Sequence, residues 1–562
     1  MTREPTRIVI VGGVAGGASA ATRARRMNES AQIILFEKDA HVSFANCGMP
    51  YHVGGEIEDR QKLLVAKPET FANRFGIDVR TRQEVLSIDR QRQMIEVQNH
   101  TTGEAYQQPY DKLILSTGAA PIVPPIEGIR SENVFTLRNL DDTDRIRTWL
   151  DEHSPKRAVV VGAGFIGLEM VEQFVRRGID TSLVELQPQV LPPLDAEMAQ
   201  PLAEELERQG VQLHLGDGIH GVKTEGGRAT AVQLDSGRSV EADLVILGIG
   251  VRPNTQLAQQ AGLEIGPQGG ITINEFCQSS DPDIYAVGDA VEYPRGPHGG
   301  PMRVALAGPA NRAGRLAGEH AATGKGQPLA PVMATAIVRV FDLAAGSTGL
   351  CAKLAERLGV EATSVTVVAN HHAGYFPGAK PMTLKLVYEP ETGRILGAQA
   401  LGEAGVDKRL DVVATAMRFG ATVRDLAGLD LAYAPPFGSA KDPVHMAAFA
   451  AINELDALVQ IAQPNADLAG MQVVDVRSPA EVAAAPLPDS NHAANIPVDE
   501  LRSRLDELDP RRPTIVVCAS GLRSYVASRI LSQHGFDQVF SLTGGETLRK
   551  RALAGTSPQP AS

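Results

Sequence analysis

Two cysteines of this 562-residue chain stand where a sulfur atom could do chemistry. Cys47 lies in Ser43–Pro50 (SFANCGMP), just after a short apolar run. Cys518 opens the loop CASGLR between the strand-like TIVV and a helical stretch. The thiolate is the reactive form of cysteine, and a helix N-terminus or a nest of backbone N–H groups favours it. A lone cysteine is otherwise an inert packing residue. Position 52, where a CxxxxC dithiol would place its second sulfur, is His52. Cys47 therefore has no resolving cysteine in its own segment, and the second sulfur must come from a ligand. The loop from Cys518 to Arg523 has the CxxxxR spacing, one residue shorter than the CxxxxxR of phosphate-binding loops. That size favours a persulfide anion over a phosphate, with Arg523 closing the loop. Cys277 and Cys351 lie outside both segments and read as structural.

Glycines mark the elements that would feed electrons to such a sulfur. Ala158–Val161 runs into Gly162, Gly164 and Gly167, a full GxGxxG that also includes Ile166. A helical stretch and a second strand follow, ending at Glu185, 23 positions after Gly162. Glycines there allow a tight turn and close approach to a pyrophosphate at a helix N-terminus, and the acidic residue accepts a ribose 2′-hydroxyl. Glu185 would repel a 2′-phosphate, so NADH is expected over NADPH. A second such unit opens the chain: RIVIV, then Gly12 and Gly17 in the outer positions with Val14 and Ala15 between them, and Glu37 at the end of the next strand. Val14 stands where the middle glycine belongs. Two dinucleotides on one chain imply an electron relay.

The rest of the chain sets the frame. At this length several domains are required. Hydrophobic residues at 43% and charged residues at 21% fit a globular protein. The net charge of −12 leaves no basic footprint, so nucleic acid is not expected as a partner. Four cysteines form neither a disulfide framework nor a zinc-type spacing, so no metal is expected. With no signal-like stretch and no run of 18 apolar residues, the reading is a cytoplasmic protein without a membrane partner. From about residue 331 the glycine pattern gives way to runs such as TLKLVY, an α+β region. After QPNAD, short strands (MQVVDV, TIVVC, QVFSL) alternate with helical segments in a small α/β domain.

Nine segments in order carry a resemblance: GGVAGG, SFANCGMPY, LSTGAAP, GAGFIGLE, LGIGVRPN, IYAVGDA, LAGPANRAGR, HHAGYFPGAK and YAPPFGSAKDP. The chain up to about residue 450 resembles the pyridine nucleotide-disulfide oxidoreductases. Within them it is similar to the single-cysteine branch of CoA-disulfide reductases, CoA-persulfide reductases, NADH oxidases and NADH peroxidases. DVRSPAEV (Asp475, Arg477), NIP, CASGLR and TGG make the C-terminal part resemble a rhodanese, although His492 falls where glycine is expected. The fold class implied is α/β: two Rossmann-like dinucleotide-binding domains, an α+β dimerisation domain and a C-terminal α/β rhodanese domain. The implied bounds are 1–115 with 255–330 for FAD, 116–254 for NADH, 331–450 for dimerisation, 451–468 for a linker and 469–556 for the rhodanese domain.

The resemblance also implies roles. FAD would meet Gly12, Val14, Ala15, Gly17, Glu37, Lys38, Val85, Thr117, Gly118, Arg138 and Asp289. NADH would meet Gly162, Gly164, Ile166, Gly167, Glu185 and Gly250. The family's homodimers send tyrosines to the partner's cysteine, and Tyr375 and Tyr433 hold those motif positions. Each is either a proton donor to a leaving sulfur or a packing ring. CoA, as substrate or bound cofactor, would meet Arg23, Arg26, Ser43, Asn46, Asn311 and Lys441. Three arginines on one helix, with Arg25, fit an anionic ligand. The expected activity is NADH-driven, FAD-dependent reduction of CoA persulfide, CoA disulfide or polysulfide at Cys47, with Cys518 delivering sulfane sulfur. The alternatives are an NADH oxidase or peroxidase cycling Cys47 through sulfenic acid, and a low-turnover sulfur carrier or redox sensor.

Overall fold

The structure is a computed structural model that describes residues 5–487 and 493–554. His492 lies outside the described residues. The chain forms two compact units: residues up to Leu183 with Ile219–Ala334, and Val184–Gly218 with residues from Thr335 onward.

In the first unit, the apolar run Arg7–Val11 is the middle strand of a five-stranded parallel sheet. Gln32–Glu37 and Lys112–Leu115 flank it, and Asp78–Thr81 and Ile284–Ala286 form the edges. Ile8, Val9 and Ile10 are fully buried, as near-continuous apolar runs require when a parallel sheet is covered on both faces. The helix Ala15–Met27 follows directly from the glycine turn and packs on Ala307–Thr323. The contact is close because it is built on small residues. A Cβ on Gly314 would collide with the Gly16 carbonyl, and one on Gly318 with that of Ala20. The second parallel unit is built on Arg157–Val161, paired to Leu244–Leu247, which pairs in turn to Val134–Phe135. The helix Phe165–Arg176 leaves its glycine turn.

The second unit contains two sheets. One is antiparallel, in the order Ala336–Val340, Leu343–Gly349, Ile395–Gly402, Pro381–Tyr388 and Thr363–Asn370. The other is parallel, in the order Gln460–Ala462, Val539–Leu542, Thr514–Val517, Gln472–Asp475 and Ala494–Asn495.

Within the second unit, Val184–Gly218 packs with the antiparallel sheet. Asp195 and Glu197 sit at the head of the helix Ala196–Arg208 and meet Lys385 Nζ at 2.8 and 2.5 Å. Gln399 Nε2 adds a bond to Asp195 at 2.5 Å. All three charges are nearly dry, with side-chain exposures of 4% for Lys385, 6% for Asp195 and 12% for Glu197. Burial alone would push the Lys385 ammonium down, but the two carboxylates outweigh it and hold it above its ordinary value. The same pairing outweighs burial at Asp195 and holds that carboxyl below its ordinary range.

The supposed linker 451–468 is structured. It begins as the last turn of the helix Pro443–Leu455, and Gln460–Ala462 becomes an edge strand registered Gln460↔Phe540. Gln463 then donates to the Ser364 carbonyl at 2.9 Å and accepts from its hydroxyl at 3.2 Å. The polar composition of QPNAD concealed an apolar VQIA strand whose backbone is satisfied by pairing. Thr543 ties the two sheets together: its hydroxyl accepts from Thr366 N at 2.7 Å and donates to Thr366 O at 3.2 Å.

Removing one member of a buried ion cluster leaves the others unpaired, at a cost of about 3–5 kcal/mol. Lys385→Met should therefore show a clearly lower midpoint of urea unfolding than the parent, with much of the loss recovered when Asp195→Asn and Glu197→Gln are added. An unchanged midpoint for the single variant would contradict this reading of the cluster.

Candidate functional site

Cys47 occupies the short 3-10 turn Asn46–Gly48, immediately before the helix Met49–Gly54. The turn is held from behind. Ala45 N donates to Leu63 O at 2.8 Å, and Ser43 N donates to Gly13 O at 2.8 Å, which puts the cysteine segment beside the first glycine turn. Ser43 adopts φ +48, a left-handed conformation that is costly for a non-glycine residue and recurs at functional sites. The cysteine is exposed, with the carboxylates of Glu169 and Asp289 in its electrostatic surroundings. Burial pushes its thiol up, and Glu169 and Asp289 push it further in the same direction. The helix start thus does not by itself yield the easily ionised thiol expected of it. Glu169 accepts from Tyr51 Oη at 3.2 Å, and Asp289 accepts from Arg138 Nη2 at 3.3 Å. Asn46 Nδ2 reaches Arg138 O at 3.5 Å. His52 is buried, with Nδ1 2.6 Å from Ile57 O.

Of the residues assigned to FAD, Gly12, Gly17 and Glu37 build the first glycine turn, and Arg138 pairs with Asp289. Gly12 has φ +96, and a Cβ on Gly17 would strike the Gly12 carbonyl, so helix and strand meet as closely as a dinucleotide turn requires. Val14 is the N-cap of the helix that begins at Ala15. Glu37 is buried and accepts from Gly13 N at 2.8 Å and Asp39 N at 3.0 Å, so its carboxylate braces the turn. Burial raises its pKa above the ordinary carboxylate value. A Cβ on Gly118 would lie 2.7 Å from Arg138 Nη2, and Thr117 Oγ1 donates to Asn254 O at 2.6 Å. Lys38 is exposed on the next position, whereas Val85 is buried in the strand Gln83–Asp89.

The second turn also fits a pyrophosphate. Gly164 is the N-cap of Phe165–Arg176, and the space above its Cα is open, with nothing within 4 Å of a Cβ placed there. Ile166 is 38% exposed on the first helical turn, and Gly250 has φ +112 at the mouth of a neighbouring loop. A Cβ on Gly167 would strike the Gly162 carbonyl, repeating the arrangement of the first turn. In the other compact unit, Glu185 is buried and accepts from Gln187 N at 2.8 Å.

Several CoA-assigned side chains are already engaged. Arg23 bonds Glu319 Oε2 at 2.9 and 2.5 Å. Arg25 is buried, and its donors go to the carbonyls of Phe75, Asn28, Glu29 and Gly76. The expected trio of anion-binding arginines therefore reduces to one exposed member, Arg26, whose Nε bonds Thr22 O at 2.9 Å. Asn311 accepts from Ser19 Oγ at 2.6 Å and donates to Ala307 O at 2.8 Å.

On the antiparallel-sheet unit, Tyr375 and Tyr433 join hydroxyl to hydroxyl at 3.0 Å while 75% and 49% exposed. That bond is the first cause holding the Tyr375 hydroxyl above its ordinary value. Phe376 and Phe437 add exposed rings beside them, and Ala373 N to Gly438 O at 2.9 Å ties the two loops together. Lys441 is exposed next to Asp442, which is buried against Arg409 at 2.6 Å.

The second cysteine is enclosed. Cys518 ends the buried strand Thr514–Val517, accepts from Gly521 N at 3.0 Å and lies 3.6 Å from Ser524 Oγ. Its carbonyl accepts from Glu546 N at 2.8 Å, so the TGG turn forms the floor of the loop. Arg523 is paired across to the helix Pro479–Ala484 and also interacts electrostatically with Cys518. Its Nη1 and Nη2 bond Glu481 at 2.8 and 2.6 Å. Arg477 is buried on Asp475 at 2.6 Å. Sequence reasoning did not single out Glu169, Glu481 or Ser524. Glu169 was within reach, as the last residue of GAGFIGLE. Cys277 and Cys351 are buried, with thiols pushed up to about 12 and about 11 chiefly by burial. Among the described residues no cluster could hold a metal, and no helix is long and apolar enough to cross a membrane.

Two dinucleotide turns around one open cysteine, with a second cysteine in a backbone nest, define a flavin- and nicotinamide-linked thiol oxidoreductase scaffold. The chain belongs to the pyridine nucleotide-disulphide oxidoreductase family, whose model matches residues 6–310; its dimerisation domain matches 335–443, and a rhodanese-like domain matches 457–547. It is 35% identical over 445 residues to a coenzyme A disulfide reductase of Staphylococcus epidermidis, covering 79% of this chain and 99% of that one. The reduced Bacillus anthracis CoADR-RHD superposes with a TM-score of 0.94 at 44% identity, covering 98% of each chain. An NAD-dependent persulfide reductase from A. fulgidus superposes at 0.90 with 36% identity, covering 97% of this chain and 100% of that one.

The acidic surroundings of Cys47 give a test. Glu169→Gln removes a negative charge that opposes ionisation, so the thiol pKa falls and more thiolate is present at neutral pH. In flavin-free protein, alkylation of Cys47 by iodoacetamide at pH 7 should be faster than in the parent. An unchanged or slower rate would remove Glu169 from the electrostatics of this sulfur.

Proposed function

We propose that this chain is an NADH-dependent flavoenzyme that reduces CoA persulfide or CoA disulfide at Cys47, with Cys518 supplying sulfane sulfur from other donors. The observation that carries the reading is the isolation of Cys47: the other cysteines are buried elsewhere, so a second sulfur must arrive with the substrate. The coenzyme A disulfide reductase and persulfide reductase relatives, and the rhodanese-like segment, support it.

When bound, the flavin would pass two electrons from NADH to the sulfur of Cys47. The glycine turns at Gly12–Gly17 and Gly162–Gly167 would hold the two dinucleotides, with Glu37 and Glu185 as ribose acceptors. Arg138 and Asp289 pair with each other, and Thr117 and Gly118 would lie along the flavin's edge. The Cys47 thiolate attacks a sulfur of CoA disulfide or CoA persulfide, forms a new S–S bond and displaces a thiolate or hydrosulfide. Arg26, Ser43, Asn46, Asn311 and Lys441 are the side chains proposed for CoA. Arg23 joins them only by exchanging Glu319 for phosphate. In a homodimer, Tyr433 with Tyr375 of the second copy would give a proton to the departing sulfur. Their exposed hydroxyls and the neighbouring Phe376 and Phe437 suit a face that another copy covers.

Steady-state NADH consumption with CoA persulfide, CoA disulfide, polysulfide and oxygen, compared side by side, tests the proposal. The two CoA substrates should give the highest kcat/KM. Oxygen or peroxide as the best acceptor would replace this reading with an oxidase or peroxidase, and no turnover with any acceptor would point to a carrier or sensor.

A further inference from the structure

The antiparallel sheet of the second unit has Thr363–Asn370 as an edge strand, paired to Pro381–Tyr388 on its inner side. An edge strand presents N–H and C=O groups that its own sheet leaves unpaired. Here two side chains from the rhodanese-like part cover them. Gln463 Nε2 donates to the Ser364 carbonyl at 2.9 Å. The Thr543 hydroxyl serves Thr366 twice, accepting from its N at 2.7 Å and donating to its O at 3.2 Å. Ser364 and Thr366 are two positions apart, so their backbone groups point to the same side of the strand. Thr543 and Thr366 are both buried, at 5% and 4% exposure, which leaves little water to replace these bonds. Thr543 also opens the turn that carries the persulfide loop. Gly544 and Gly545 follow it in left-handed conformations, at φ +65 and +63, and a Cβ on Gly545 would lie 2.3 Å from the Cys518 carbonyl. The helix Gly545–Ala554 then gives N–H groups of its first turn to the loop: Glu546 N to Cys518 O at 2.8 Å and Thr547 N to Ala519 O at 3.3 Å. These bonds hold the carbonyls of the loop, while Gly521 N donates to the Cys518 sulfur at 3.0 Å.

We infer that Thr543 is a positioning residue for Cys518, and that the edge of the antiparallel sheet completes the sulfur-transfer site. This rests on the sulfurtransferase reading of Cys518. The chain of contacts has three steps. The backbone of Thr366 holds the Thr543 hydroxyl, the turn after Thr543 holds the first carbonyls of CASGLR, and the loop so held sets the sulfur against the Gly521 N–H. A hydroxyl bonded to both a donor and an acceptor of one residue admits a single orientation, so it fixes the turn more narrowly than either bond alone. A side chain of the same shape without the hydroxyl would leave the buried Thr366 N–H unpaired, a cost that a shift of the turn relieves. Sulfur transfer requires the attacking sulfur to be held close to its productive geometry, so such a shift acts on turnover. Gln463 covers the same edge but lies outside the turn, so it contributes to docking without setting the loop.

The test uses the full-length holoenzyme with cysteine persulfide as donor, cyanide as acceptor and thiocyanate as readout. Thr543→Val should lose most of the parental kcat, and Thr543→Ser, which keeps the hydroxyl, should recover it. Gln463→Leu removes the other side chain from the same edge and should keep the parental kcat. Bound flavin and the thermal midpoint check that each variant is folded. Hydrogen exchange in the parent gives a reading that needs no variant: the Thr366 amide should exchange as slowly as amides paired inside the sheet, although it faces outward from an edge strand. A parental kcat in Thr543→Val, no recovery in Thr543→Ser, an equal loss in Gln463→Leu, or fast exchange at Thr366 overturns the inference. Failure of the parent to form thiocyanate overturns the sulfurtransferase reading itself.

Discussion

The ionisation of Cys47 is opposed by its own surroundings, and much of the architecture follows from that. Burial and the carboxylates of Glu169 and Asp289 all favour the neutral thiol. Asp289 is paired with Arg138 and Glu169 bonded by Tyr51, so neither carboxylate is idle. In the proposed cycle, support for the thiolate comes from groups that arrive: the flavin, the CoA substrate and the tyrosines of a second copy.

The two sulfurs of the chain are held by opposite means. Cys47 sits in a solvent-open turn braced by Gly13 and Leu63. Cys518 is enclosed, with a backbone N–H on its sulfur and the TGG turn beneath it. Thr543, on that turn, bonds both backbone groups of Thr366. Gln463 and the edge strand Gln460–Ala462 complete a docked rhodanese domain, so Cys518 is not carried on a loose tether. In the proposed relay, sulfur then leaves Cys518 on a mobile carrier such as CoA.

Features fixed by local chain geometry were legible in the sequence. Glycines at helix heads, acidic residues at strand ends and the missing sulfur at His52 identified the two nucleotide turns and a single-cysteine centre before any coordinates. Features that depend on remote pairing were not. Arg23 read as an anion ligand because nothing local shows that Glu319, 296 residues away, already holds it. Nothing local shows that Arg523 is also paired to Glu481, which reaches it from another helix. The segment after Leu455 read as a linker because polar residues mask a three-residue strand. In each case the deciding interaction is electrostatic or edge pairing between distant segments, to which periodicity and spacing are blind.

The central claim is that electrons from NADH reach a CoA-borne sulfur only through Cys47. Stopped-flow reduction of Cys47→Ser by NADH, followed by mixing with CoA persulfide, tests it most directly. The account predicts that the flavin is reduced by NADH at close to the parental rate and is then not reoxidised by CoA persulfide. Reoxidation at the parental rate would contradict it.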